Sequence, residues 1–268
     1  MRKRLVATLL VGAVATTAVL GLTACGGAGI DKGVEVDEQG WKDAFKATSE
    51  ATNYTVELIS EATSSASGKA DDISVNVKYE EKSNTTNYYD VDGGKAYEKG
   101  SASMKVTGIK SLPDALKQLL GFDDDIEEKE EYESYTVKEG ENYYEATLED
   151  GEWYVDGAYG IYPYSYIGNA SFATEKGGES KNISLLYSAF TYSGGIYTAT
   201  LYEYSYEYTV SVSIKDGYVI GYSVESKMEG EMNGLTSKSE SKVVYKFSNY
   251  GKTNVSPSKG AQDAIANK

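Results

Sequence analysis

From Tyr202 to Ile214 the chain alternates without a break. Tyr202, Tyr204, Tyr206, Tyr208, Val210, Val212 and Ile214 hold the even positions. Glu203, Ser205, Glu207, Thr209, Ser211 and Ser213 hold the odd ones. Successive side chains of a strand point to opposite sides, so this spacing predicts one long strand over 200–214 with an apolar, aromatic face buried and a polar face wet. A strand of that length fits best into an extended, curved sheet.

The same period recurs on both sides of it. Tyr54, Val56 and Leu58 alternate with Thr55 and Glu57, and Ile73, Val75, Val77 and Tyr79 repeat the pattern after a Ser/Gly-rich stretch at 63–69 read as a turn. Val243, Tyr245 and Phe247 make a last strand. Between these lie four hairpin signals: Asp92-Gly93-Gly94, Lys138-Glu139-Gly140, Asp150-Gly151 and Asp216-Gly217, each flanked by alternating residues. Asp-Gly supplies the positive φ angles of a tight hairpin. Four such turns predict an antiparallel meander.

Helices are few. Asp37 is placed to cap a helix in which Trp41, Ala44, Phe45 and Thr48 share one face, ending near Asn53. Ser111, Pro113 and Gly121 bracket a second over 112–120, with Leu112, Ala115, Leu116, Leu119 and Leu120 as its apolar stripe. Residues 182–190 suit a short helix or a strand. No repeat and no linker splits the chain, so residues 37–255 are read as one domain and the polar stretch 256–268 as a frayed tail.

The amino terminus follows another logic. Arg2, Lys3 and Arg4 precede an uncharged apolar run from Leu5 to Leu20, the layout of an export signal. The run falls short of the ~20 residues that span a bilayer core. It ends Leu22-Thr23-Ala24-Cys25-Gly26, which resembles the lipobox of bacterial lipoproteins. The resemblance implies that residues 1–24 are removed, that Cys25 receives diacylglycerol and a further acyl chain, and that the protein is held on the extracytoplasmic face of a bacterial membrane. Two or more acyl chains suffice for stable anchoring. Cys25 is the only cysteine. The Gly-rich stretch 25–36 would be the tether.

Composition removes whole classes of chemistry. The chain has no histidine, which excludes Ser-His-Asp and Cys-His catalysis and any histidine metal site. A net charge of −15, deeper still once three basic residues leave with the signal, repels nucleic acid and anionic lipid surfaces. The body is therefore expected to stand off the membrane, as a monomer, with no metal and no cofactor beyond the acyl chains. The acidic run 122–133 lacks the spacing of a calcium loop and reads as a solvated loop. Ser239-Glu240-Ser241-Lys242 matches Ser-x-x-Lys, but in a strand residues three apart face opposite ways. No enzymatic activity is expected.

The assembly of lipobox, tether, a helix running into Asn53-Tyr54-Thr55-Val56-Glu57-Leu58, a meander, and a close of Phe247-Ser248-Asn249-Tyr250-Gly251-Lys252 is similar to LolA/LppX/LprG-type lipoproteins. That resemblance implies an α+β, β-dominated fold: a curved antiparallel half-barrel whose concave side is covered by a few helices. It also implies a lipid or other apolar or amphipathic ligand held there, with lining drawn from Trp41, Phe45, Tyr204, Tyr206, Tyr208 and Val210. The alternative is a cell-envelope interaction module that presents tyrosine-rich strands to glycan or to a partner protein.

Overall fold

The computed structural model describes residues 29–268 apart from 71–72, 115–116, 118–123, 164–165, 205 and 233–234. The expected signal stretch 1–24, the expected lipidation residue Cys25 and most of the helix expected over 112–120 lie outside the described residues. Of that helix, the N–H of Lys117 donates to the carbonyl of Pro113 at 3.1 Å.

Among the described residues there are thirteen strands, eleven of them in one antiparallel sheet. The chain runs through β1 (Asn53–Ala70), β2 (Ile73–Asp90), β3 (Lys95–Thr107), β4 (Ile126–Glu139), β5 (Asn142–Glu149) and β6 (Glu152–Ala158). A two-stranded ribbon follows, β7 (Ser171–Phe172) with β8 (Lys181–Asn182). The chain then continues through β9 (Thr191–Ser193), β10 (Ile196–Glu203), β11 (Tyr206–Lys215), β12 (Tyr218–Met232) and β13 (Leu235–Ser248). The order β6-β5-β4-β3-β2-β1-β13-β12-β11-β10-β9 leaves β6 and β9 as edges, so the sheet is open rather than a barrel. The meander and its four Gly-bearing hairpins stand where the sequence put them.

Helix α1 (Glu38–Ser49) is capped by Asp37, whose carboxylate accepts the N–H of Gly40 at 2.8 Å. That satisfies one of the free donors of the first turn. Trp41, Ala44, Phe45 and Thr48 are the buried stripe. They press on the face of the sheet formed by Tyr54, Val56, Tyr222, Phe247, Val210 and Val212, called here the α1 face. Trp41 meets Phe45, Phe190 and Tyr197 at centroid distances of 4.9, 4.7 and 5.2 Å. Its indole N–H donates to the carbonyl of Ile183. Full burial of a side chain such as Phe45 is worth roughly 1.5–3 kcal/mol.

The expected frayed tail is instead a helix, α2 (Lys259–Ala266), capped by the Ser258 hydroxyl on the N–H of Ala261. Ala261 and Ile265 bury against Tyr97, Tyr135, Val137 and Ala146. Register fixes which face that is. Directly paired residues share a face, and Tyr97↔Tyr135 and Tyr135↔Ala146 continue a row that starts at Thr55↔Tyr88 and Tyr88↔Tyr97. Tyr54, the neighbour of Thr55, lies under α1. The two helices therefore cover opposite faces, α1 over the β9–β13 and β1 wing and α2 over the β3–β6 wing. The expectation of helices gathered on one concave side is corrected: a polar tail carrying only Ala261 and Ile265 as its apolar stripe hid the second cover.

Three other readings change. The Ser/Gly stretch 63–69 continues β1 and pairs with both neighbours. The acidic run is strand from Ile126 onward, held in register by β3. The strand predicted over 200–214 is a hairpin, with Glu203 paired to Tyr206 and Tyr204 at φ 55°. The break inverts the parity. Leu201, Tyr208 and Val210 point to the α1 face, while Tyr202 falls on the other beside Glu207.

Candidate functional site

The α2 face carries a groove of about 700 Å³ over β1–β4. Four long strands put their polar positions there in register. Ile59, Asn84 and Ser101 form one cross-strand row over β1, β2 and β3, and Glu61, Lys82 and Ser103 form a second. Lys129 and Glu131 on β4 complete the rows. Lys82 Nζ lies 3.1 Å from Glu61 and Lys129 Nζ 3.9 Å from Glu127. The groove is flanked by two covers, α2 on the β4–β6 side and the amino-terminal segment on the β12–β13 side.

That segment was expected to be a tether, yet from Gly29 on it belongs to the body. Ile30 is buried over Gly221, where an added Cβ would sit 2.5 Å from the Ile30 Cβ. The N–H of Gly33 donates to Gly195 and that of Val34 to Ile214 at 2.8 and 2.7 Å. A bulge between Ser213 and Ile214 accompanies the second contact. Val36 then meets the hydroxyls of Tyr187 and Tyr197, both of which donate to its carbonyl. The chain thus passes from the α2 face round the end of the sheet to α1 on the other side.

The opposite, α1 face holds a polar cluster beside the core. Asn87, Glu98 and Ser134 lie in one row, and the Ser134 hydroxyl donates to Glu145 at 2.7 Å. Burial, and then the charge of Glu145, push the Glu98 carboxyl above the usual carboxylate range. The Asn87 amide nitrogen is buried with no partner among the described residues. Nearby, Tyr132 hydrogen-bonds Thr85.

Of the residues expected to line a ligand cavity, Trp41, Phe45, Tyr208 and Val210 come together in or against one core, and Tyr204 and Tyr206 stay outside it. Trp41, Phe45 and Val210 are 0–1 % exposed and spend their surface on one another's neighbours in the core. Tyr208 is half-buried against Phe172, its hydroxyl donating to Glu203. Tyr204 is 80 % exposed at the hairpin tip and Tyr206 is exposed beside it. Ser239 and Lys242 face opposite sides of β13, as their spacing in a strand requires. The groove residues escaped sequence reading because Ser, Asn, Lys and Glu at strand positions look like an ordinary solvent face. Only the pairing of four strands shows that they converge.

Neither a protein-family model nor a curated protein matches the chain. Among solved structures, it is similar to the translocator domain of autotransporter NalP from Neisseria meningitidis, with TM-score 0.22, 7% identity, and 78% of this chain and 93% of that one covered. It is similar also to a DUF1329 family protein from Desulfovibrio piger, with TM-score 0.20, 12% identity, and 82% and 94% covered.

Proposed function

We infer that this protein is a lipid-anchored extracytoplasmic binding module, without catalytic activity, whose working surface is the open groove on the α2 face. One observation carries the reading: the groove is lined by hydroxyls, an amide, lysines and glutamates, with Ile59 and Ala102 as its apolar side chains. Ligand cavities commonly run from about 300 to 1,000 Å³, so the size suits a small polar ligand. Its lining would hold a polyhydroxylated or zwitterionic group through hydrogen bonds and paired charges. The apolar carrier reading would place its ligand beneath α1, where Trp41, Phe45 and Val210 are buried in the core. Anchoring through Cys25 is supported by the lipobox and by the absence of any other cysteine.

Native mass spectrometry of the detergent-extracted protein tests the ligand class. A bound polar saccharide or headgroup, lost in Ser103→Trp, is the expected result. A co-purified ligand made only of hydrocarbon chain, retained in Ser103→Trp, restores the carrier reading. Detergent phase partitioning of Cys25→Ser tests the anchor: the variant moves to the aqueous phase or stays as uncut precursor, and unchanged mature partitioning refutes lipidation.

A further inference from the structure

The two faces of the sheet differ in charge. In β2, β3 and β4, Lys78, Lys82, Lys99, Lys105 and Lys129 all fall on the α2 face. In β12 and β13, so do Lys227, Lys238, Lys242 and Lys246. Most are matched to carboxylates of the same face. Lys246 with Glu57, Lys242 with Glu225, and Lys238 with Glu229 stand at 3.1, 2.6 and 2.9 Å. The α1 face of the same strands carries Glu81, Glu98, Glu128, Glu130 and, on β5, Glu145. Among the described residues of the large sheet, Lys138 is the one lysine there. The net negative charge is thus concentrated on one side, and the other is close to neutral.

The amino-terminal segment enters the body on the neutral side. A Cβ added to Gly29 would lie 3.5 Å from Val244 Cγ2 and 3.7 Å from Lys242 Cε. Val244 and Lys242 pair directly with Ile59 and Glu61 of the groove, and adjacent strands are about 4.8 Å apart. Four Cα-to-Cα steps separate Gly29 from Cys25, a reach of at most about 14 Å. Whatever holds Cys25 is therefore within one short span of the groove.

We propose that the α2 face is the membrane-facing side of the protein, and that the groove engages polar headgroups of the bilayer that carries the Cys25 anchor. The proposal rests on lipidation of Cys25 and deepens the polar-groove reading. The tether is too short to let the body stand far off, and it fixes which side looks down. That side is the one that a phosphate-bearing surface does not repel. The carboxylates of the α1 face lie behind the sheet, and at physiological ionic strength fields decay over about 8 Å. Lys82 and Lys129 can turn to headgroup phosphates, and Glu61 and Glu131 to headgroup amines, with Ser101 and Ser103 donating between them.

Glu128 and Lys129 are consecutive, both exposed, and on opposite faces, so they make a matched pair of probes. The full lipidated protein, as Glu128→Cys or Lys129→Cys, is labelled with a thiol fluorophore. It is then reconstituted into phosphatidylglycerol/phosphatidylethanolamine vesicles containing headgroup-nitroxide lipid. Glu81→Cys and Lys82→Cys repeat the comparison two strands away, on β2. Expected is several-fold stronger quenching at 129 and 82 than at 128 and 81. Equal quenching on the two faces, or the reverse order, overturns the orientation. A lipidated Cys25 has no free thiol, so unmutated protein that takes up the label refutes the lipoprotein reading and this proposal with it. Unmutated protein that stays unlabelled while the two faces quench alike refutes the orientation alone.

Discussion

Tyr88 and Tyr89 are neighbours on β2 and serve different cores. Tyr89 packs its ring 5.2 Å from Tyr54 in the α1 core. Tyr88 stacks on Tyr97 at 5.8 Å beside the α2 core. Strand alternation sends one residue to each side, so the boundary between the two cores runs through a single peptide bond. Removing one ring should loosen one wing more than the other. Tyr89→Ala is expected to cost roughly 3 kcal/mol and to speed amide exchange in α1 and β10–β12. Tyr88→Ala is expected to cost less, because that ring is half-buried, and to speed exchange in β4–β6 and α2. Hydrogen-exchange mass spectrometry separates the two patterns, and identical patterns would count against two cores.

Gly100 makes a different contact possible. Tyr132 on β4 reaches across it to Thr85 on β2, and an added Cβ at Gly100 would stand 2.8 Å from the Tyr132 ring and 2.6 Å from the carbonyl of Asn84. Gly100→Ala must push the ring aside or bend the strand. A loss on the order of 1–3 kcal/mol is expected, read from the urea midpoint. Tyr132→Phe in the Gly100→Ala background should add little, since the hydrogen bond is already lost.

Glu98 gives a pH signature. Its carboxyl is raised in the fold by burial and then by Glu145. The stability it contributes is therefore full below the unfolded value of about 4.3 and is lost as pH rises through its folded value. Glu98→Gln should raise Tm at neutral pH, and the gain should shrink toward about pH 4. Thermal denaturation of both proteins across that range measures the difference. A gain that does not depend on pH would mean that the charge is not the cause.

The carboxy-terminal helix protects a tyrosine. Burial, and then the hydrogen bond to Glu133, push Tyr97 up to about 12. Its contribution is present below the ordinary tyrosine value near 10 and is lost as pH rises toward the folded one. Ile265→Ala should cost about 2–4 kcal/mol. It should also let Tyr97 ionise nearer the ordinary value, visible as phenolate absorbance beginning at lower pH.

What the sequence made legible was local. Asp150-Gly151 and Asp216-Gly217 carry turn chemistry, and both hairpins are there. Asp37 and the Trp41, Ala44, Phe45, Thr48 spacing place α1 correctly. The hairpin at Tyr204 was hidden because no Gly, Pro, Asn or Asp stands there to mark a turn, and Tyr204 takes a left-handed conformation that tyrosine seldom adopts. Period two continued in letters while the chain reversed. The placement of helices on opposite faces could not be read at all. Alternation tells that Tyr88 and Tyr89 point apart, but not which of them a distant Ile265 will cover. The groove was equally silent, because its residues acquire meaning only when β1–β4 lie side by side.

The path of the amino-terminal segment has a mechanical consequence. A pull on a membrane anchor would be transmitted along the backbone to Ile30 and then to the bonds from Gly33 to Gly195 and from Val34 to Ile214. Those bonds join the segment to different strands, so load spreads into β11 and the β9–β10 turn before it reaches α1. Tension on the tether would strain this clasp first and leave the helix seated. A body tugged by a moving bilayer could thus yield at its neck while its two cores stay intact.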